Sequence, residues 1–243
     1  MRMLTFARRC AREILRDPLN LLFGLGFPIV LLLLLSAIQA NIPVPMFEIA
    51  HLSPGIAVFG LSFMTLFSAT LVARDRESAL LQRLYTTPLK AVDYILGYIL
   101  PMLPIAIVQS AVSYLIAAAL GLPLSLNTLC AMVLILPIAL FYIALGLLCG
   151  SIFNVKQVGG ICGALLTNLS AWLSGVWFDL DLVGGAFGKI AGVLPFVHAV
   201  ELERACISGH WAGMLPHLPV VLGYGAAVTL CASWLFLRQM NKQ

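Results

Sequence analysis

Residues 73–96, ARDRESALLQRLYTTPLKAVDYIL, decide how this chain is read. They form the longest strongly polar interruption in an otherwise apolar sequence. Arg74, Arg76, Arg83 and Lys90 supply four of the fourteen basic residues, and Asp75, Glu77 and Asp93 supply three of the ten acidic ones. Within the stretch Leu80, Leu81, Leu84 and Tyr85 recur at helical spacing, which predicts a short amphipathic helix stopped by Pro88. A charged helix with one apolar stripe, held between apolar runs, has the makings of a contact surface for a soluble partner.

The surrounding composition fixes the setting. Mean hydropathy is +1.03, and 61% of residues are hydrophobic against 10% charged. A soluble domain carries about 25% charge, so the chain reads as one integral membrane domain over 1–243. With about 20 apolar residues needed per span, six spans fit, at about 19–38, 54–73, 94–120, 128–150, 159–176 and 215–237. Pro28, Pro101 and Pro104 predict kinks in the first and third of them. The expected fold is all-α: six transmembrane helices, an N-terminal amphipathic helix, and re-entrant or interfacial helices between spans 5 and 6. The basic start runs directly into a span-length segment, so no cleavable signal peptide is expected.

Residues 1–18 place Met3, Leu4, Ala7, Cys10, Ala11, Ile14 and Leu15 on one half of a helical wheel and the arginines on the other. This predicts an interfacial helix whose Arg8, Arg9, Arg12 and Arg16 meet an anionic membrane surface, closed by Pro18. Twelve of the fourteen Lys and Arg residues fall in the N-terminal segment, 74–93, 151–158 and the C-terminus. The intervening loops hold only Lys189 and Arg204. Positive-inside bias therefore predicts both termini and the 74–93 stretch on the cytoplasmic side of the cell membrane.

Little chemistry lies within the predicted spans. No Asp, Glu, Lys, Arg or His falls in the middle of any of them, whereas ion-coupled carriers place ionisable groups at bilayer depth. Energy for transport would then come from outside the chain. The run Gly184-Gly-Ala-Phe-Gly188-Lys189 lacks the spacing and the Ser/Thr of a phosphate-binding loop, and no nucleophile elbow is present. His198 and Glu201 stand at i, i+3, a spacing compatible with a metal, but Glu201 or Glu203 pairing with Arg204 accounts for the charges more simply. The six cysteines contain no C-x-x-C pair and read as packing residues. Gly146/Gly150, Gly159/Gly163 and Gly184/Gly188, each four apart, allow close helix packing within the chain or between two copies.

The segment RDRESALLQRLYTTPLKAVDYILGYILP (74–101) resembles the signature of ABC-2 type permeases, the membrane subunits of many ATP-driven exporters, in the branch that handles drugs and antibiotics. The shared features are the charged run Arg74–Glu77, the leucine-rich Leu80–Tyr85, Thr87-Pro88, and Gly97 to Pro101. Pro195, Glu201 and Arg204 resemble the family's outer helix before the last span. Where the family often has Gly-Thr followed by Glu, this chain has Ala79-Leu80 and Gln82. The short 39–53 loop leaves no room for the large extracellular domain of lipid-transporting and macrolide-type relatives.

The resemblance implies a half-transporter that is not itself an enzyme. Two such subunits would face each other, each resting on a separate ATP-binding subunit that holds ATP and magnesium; this chain would bind no cofactor. Residues 74–88 would be the coupling helix, with Arg74, Arg76, Glu77, Leu80, Leu81, Arg83, Leu84, Tyr85 and Pro88 at the partner. Membrane lipid would be the other contact, with no nucleic acid. An amphipathic drug, antibiotic, lipid or peptide would be the exported cargo. An intramembrane hydrolase or a membrane scaffold or sensor is the competing expectation.

Overall fold

The computed structural model describes residues 2–42, 44–78 and 91–240, and every described element is helical. Helix α1 is Arg2–Leu15. After one turn at Pro18–Leu21, α2 runs over Leu22–Asn41, its first five residues wound in a wider π turn. There follow α3 (Ile49–Glu77), α4 (Ala91–Ala119) and α5 (Leu126–Ile152). Three consecutive pieces, Val155–Val158, Gly159–Leu166 and Thr167–Leu173, make up α6, whose middle is again π-wound. After a turn at Leu180–Val183 come α7 (Gly185–Val193) and α8 (Pro195–Ile207). A turn at Trp211–Met214 leads into α9 (Leu218–Met240).

Among the described residues, five helical segments are long and apolar enough to cross a membrane: Leu22–Asn41, Ile49–Glu77, Val92–Ala119, Leu126–Ile152 and Trp211–Arg238. The span expected at 159–176 takes the form of α6, which begins earlier, at Val155, and ends at Leu173. Lys156, Gln157 and Asn168 dilute its apolar character, so it is not among the five. The second helix is longer than expected at both ends. It starts at Ile49, carries Pro54 inside it, and absorbs the charged run Arg74–Glu77 as its last turn. Arg74 therefore does not open a separate helix. Pro54 is the sixth residue of α3, past its first turn, and the helix runs on through it without the bond that a residue with an N–H would make to the Ala50 carbonyl. The segment 177–214 is a series of short helices, α7 and α8 among them.

α3 is the axis of the bundle. Nearly every residue from Leu52 to Ala73 is buried, while α2 and α9 keep most of their surface outward. The chain packs α5 along one side of α3 and α4 along another, with α9 against α5. Apolar side chains gain little by leaving lipid for other apolar side chains, so close backbone approach and interhelical hydrogen bonds must supply the cohesion. Gly146 and Gly150 provide the approach: a Cβ at Gly150 would sit 2.5 Å from the Ala69 carbonyl oxygen and 3.0 Å from its Cα. The bonds sit beside them. Thr65 Oγ1 donates to the Tyr142 carbonyl at 2.9 Å, Ser68 Oγ to the Ile143 carbonyl at 3.1 Å, and Tyr142 Oη lies 2.6 Å from Ser170 Oγ on α6. Of the three glycine pairs, Gly146/Gly150 is used within the chain. Gly159 has open space around its Cβ position, and Gly163 makes ordinary contact with Leu66.

Gly150→Val cannot be relieved by a side-chain rotation, because it meets backbone. It should destabilise the bundle by about 3 kcal/mol, the upper range for overpacking, read as a lowered thermal-unfolding midpoint in detergent. Gly223→Ala, where nothing lies within 4 Å, should leave that midpoint unchanged or slightly raised.

Candidate functional site

The last turn of α3 carries Arg74, Asp75, Arg76 and Glu77, and each side chain reaches a different part of the chain. Asp75 is 1% exposed. Arg9 grips it with both guanidinium nitrogens, Nη1 to Oδ2 at 2.5 Å and Nη2 to Oδ1 at 2.6 Å. Tyr98 on α4 donates its hydroxyl to Oδ2 at 2.8 Å. Glu13, one turn on from Arg9, holds the outer side of the same guanidinium at 2.5 Å. Burial works against the Arg9 charge, but the bond to Asp75 and the charges of Asp75 and Glu13 together outweigh it, and its pKa rises. Burial, together with the neighbouring Asp75 carboxylate, pushes the Cys10 thiol up to about 12. Cys10 is a neutral packing group.

This network redirects α1. Its buried stripe is Phe6, Ala7, Cys10 and Ile14, while Leu4 and Leu15 stay exposed. The Phe6 ring stands edge-on to Tyr94 and Tyr98, with centroids 5.6 and 5.0 Å away, in a slot left by Gly97, where a Cβ would strike that ring. α1 is docked on α4 and the end of α3. Arg8, Arg12 and Arg16 remain exposed, as a membrane-facing row requires. Arg9, expected in that row, faces inward, because a buried carboxylate must find a fixed counter-charge.

Arg76 and Glu77 stitch the 151–158 loop to the same point. Arg76 donates to the carbonyls of Ser151 and, at 2.6 Å, Phe153. These belong to the end of α5, where helix carbonyls lack intrahelical partners and the dipole favours a cation. Glu77 accepts from the Val155 backbone N–H at 2.8 Å, the matching arrangement at the start of α6. Asn154 and Gln157 complete that start as a reciprocal capping box, at 2.8 and 3.1 Å. Arg74 pairs with Asp17 at 3.2 Å, both partly exposed. The site residues Leu80, Leu81, Arg83, Leu84, Tyr85 and Pro88 lie outside the described residues.

The outer set named from sequence is gathered at the opposite end of α3. Arg204 on α8 is nearly buried and donates to Glu201 Oε1 at 2.8 Å, the His51 carbonyl at 3.2 Å and the Gly175 carbonyl at 3.1 Å. It ties α8 to the first turn of α3 and the exit of α6. Pro195 is the first residue of α8. Glu203 departs from the expected pairing with Arg204. It is fully buried and accepts from Tyr114 Oη of α4 at 2.6 Å. Burial raises its pKa to about 8 despite that bond. Spacing could not choose between Glu201 and Glu203; only the reach of Tyr114 from α4 to Glu203 does.

Mechanically, the α3 terminus is a junction. Four charged residues in a row connect it to α1, α4, α5 and α6, so a displacement applied just beyond Glu77 cannot move α3 alone.

Comparison with known proteins bears on what would apply such a displacement. Residues 2–207 match the family described as ABC-2 type transporter. Nodulation protein J from Bradyrhizobium diazoefficiens is 26% identical over 194 residues, covering 78% of this chain and 71% of that protein.

If Arg9 serves chiefly to compensate Asp75, Arg9→Met should destabilise the chain by about 3 kcal/mol, since it strands a buried carboxylate. The double variant Arg9→Met/Asp75→Leu should lose less than Arg9→Met alone. Thermal unfolding of the four proteins of this cycle measures the difference. Losses that simply add would show that the two side chains act independently.

Proposed function

The chain belongs to the ABC-2 type transporter family, and from that premise we propose that it is the membrane-spanning permease subunit of an ATP-driven transporter, moved by a separate ATP-binding subunit that carries the ATP and magnesium. It is a multi-pass membrane protein with a transport role, and the proposal concerns its partners, direction and cargo. The observation that carries the reading is the junction at Arg74–Glu77. A coupling segment over 74–88 needs a stiff root, and here the root is joined to four other helices by charged contacts, those to α1, α4 and α5 buried or part-buried and that to α6 exposed.

In this reading the two parts of the segment divide the work. Arg74, Arg76 and Glu77 serve the root, since each already has a partner within the chain. Leu80, Leu81 and Leu84 supply the apolar contact with the ATP-binding subunit, with Arg83 and Tyr85 at its edge. Closure of the nucleotide-binding dimer then pulls α3 and α4 as rigid bodies, and α1 and the 151–158 loop follow. Arg8, Arg12 and Arg16 hold the same end to the anionic leaflet.

Six spans, with α6 as the fifth in order, and both termini in the cytoplasm account for the placement of twelve of the fourteen basic residues. A second permease copy covers the outward face of α2, where Leu22, Phe23, Val30 and Leu34 are more than half exposed. Lipid chains fill an apolar groove of about 640 Å³ between α4, α5 and α9. The cargo is amphipathic (a drug, antibiotic, lipid or peptide), in keeping with the scarcity of charge within the spans, and the direction is export.

Leu81→Asp and Leu84→Asp should each abolish co-purification with the ATP-binding subunit while leaving membrane insertion intact. Full recovery of the complex with both variants would refute the coupling role of 74–88. For topology, Ser78→Cys should react with a membrane-impermeant thiol reagent only after the cells are opened. Labelling from outside intact cells would invert the proposed orientation.

A further inference from the structure

All four histidines of the chain, His51, His198, His210 and His217, lie at the end of the bundle opposite Arg74–Glu77, and two of them touch. His198 Nδ1 on α8 is 2.8 Å from His217 Nδ1, just before α9. His198 Nε2 is 2.9 Å from the Gly192 carbonyl at the end of α7. A carbonyl oxygen only accepts, so Nε2 of His198 carries the proton. In the neutral ring its Nδ1 then has only a lone pair. The hydrogen between the two rings must therefore belong to His217 Nδ1, leaving His217 Nε2 as the free basic site. Geometry alone fixes both tautomers.

That assignment sets what acid does. A first proton goes to His217 Nε2 and leaves the bond standing, now as a charge-assisted donor to His198 Nδ1. A second proton has only His198 Nδ1 to occupy, which is the acceptor of the bond itself. Adding it destroys the bond and leaves two cations in contact. Two cations in contact repel, so the second proton and the closed bond exclude each other.

The pair also stands between two clefts. One, of about 460 Å³, is lined by His217 with Glu48, His51, Glu201, Arg204 and His210. The other, of about 550 Å³, is lined by His198 with Gly192, Val193 and Tyr224. Tyr224 Oη of α9 donates to the Val193 carbonyl at 3.0 Å, so the α7–α8 corner is held to α9 by this bond and the histidine pair. The charged and titratable groups around the pair are Glu201 and Arg204 on α8, His210 on the following turn, Glu48 and His51 at the start of α3, Lys189 on α7, and Tyr224. Burial and the neighbouring His198 lower the pKa of His217, with Glu201 opposing them, and Glu201 is itself engaged by Arg204.

We propose that His198 and His217 form an acid-released latch between the α7–α8 corner and α9, closed in the neutral and singly protonated pair and open when both rings are charged. Opening would join the two clefts into one mouth. In the orientation proposed above this mouth faces outside the cell, but the latch does not depend on that orientation and is tested without reference to it.

The test is amide hydrogen exchange on the purified full-length chain in lipid nanodiscs at pH 7.5 and pH 4.5, with rates corrected for intrinsic pH dependence. Protection over 190–217 should fall about fivefold or more at pH 4.5 in the native sequence, the equivalent of one net hydrogen bond. His217→Asn retains a side-chain amide that can donate to neutral His198 or turn its oxygen to accept from the protonated ring. It should stay protected at both pH values. His198→Ala should be unprotected at both, and His51→Gln and His210→Gln should keep the native response. A native chain with equal protection at the two pH values, or a His217→Asn chain that still loses protection in acid, overturns the latch. An acid response abolished by His51→Gln or His210→Gln instead would also overturn it.

Discussion

A carboxylate buried in a membrane protein has to be answered by a partner of the same chain, because neither lipid nor water can reach it. Asp75 is that carboxylate, and its answer is the two-pronged grip of Arg9 with the hydroxyl of Tyr98. Everything at this end of the molecule follows from satisfying it. Arg9 can reach only if α1 lies against α4, which requires the Phe6 ring to enter the space left by Gly97. With α1 so placed, Asp17 comes within reach of Arg74. The adjacent Arg76 and Glu77 then project to the α5–α6 loop, one binding helix-end carbonyls and the other a helix-start amide.

The opposite end of α3 uses the same physics with the charges reversed in role. There the nearly buried group is a guanidinium, Arg204, and its partners are two carbonyls and the Glu201 carboxylate. The central helix is thus held at both termini by charged side chains from other elements, while its middle is held by small residues and hydroxyls. This division suits a part that moves as a unit. Rigid connections at the ends transmit displacement, and close packing along the length prevents bending. In the proposed coupling role that rigidity would have a purpose, carrying a push at one membrane face into a rearrangement across the bilayer.

Much of this was legible in the order of residues. The leucine-rich runs announced the long helices because composition alone decides whether a segment tolerates lipid. The charged interruption at 74–77 stood out for the same reason, and the basic row on α1 followed from a wheel. What spacing could not convey was destination. Arg9 and Arg12 are equivalent on paper, as are Glu201 and Glu203. One arginine is drawn inward and one glutamate is buried against Tyr114 because of where neighbouring helices lie. The charged run likewise read as the opening of a new helix, whereas it closes an old one. A run of Arg and Glu is helix-compatible, and nothing local marks the boundary between Glu77 and Ser78.

The sequence by itself determined that this chain is a helical membrane protein, and it carried the family resemblance in residues 74–101. Both properties depend on local composition and on motifs that survive without knowledge of the fold. Only the tertiary structure decided that the charged run binds its own chain first, that α1 is a docked element as well as a surface one, and that His198 and His217 are hydrogen-bonded. Each of these is a contact between residues far apart in sequence, and its energy exists only when packing brings the two groups within a few ångströms and keeps water away.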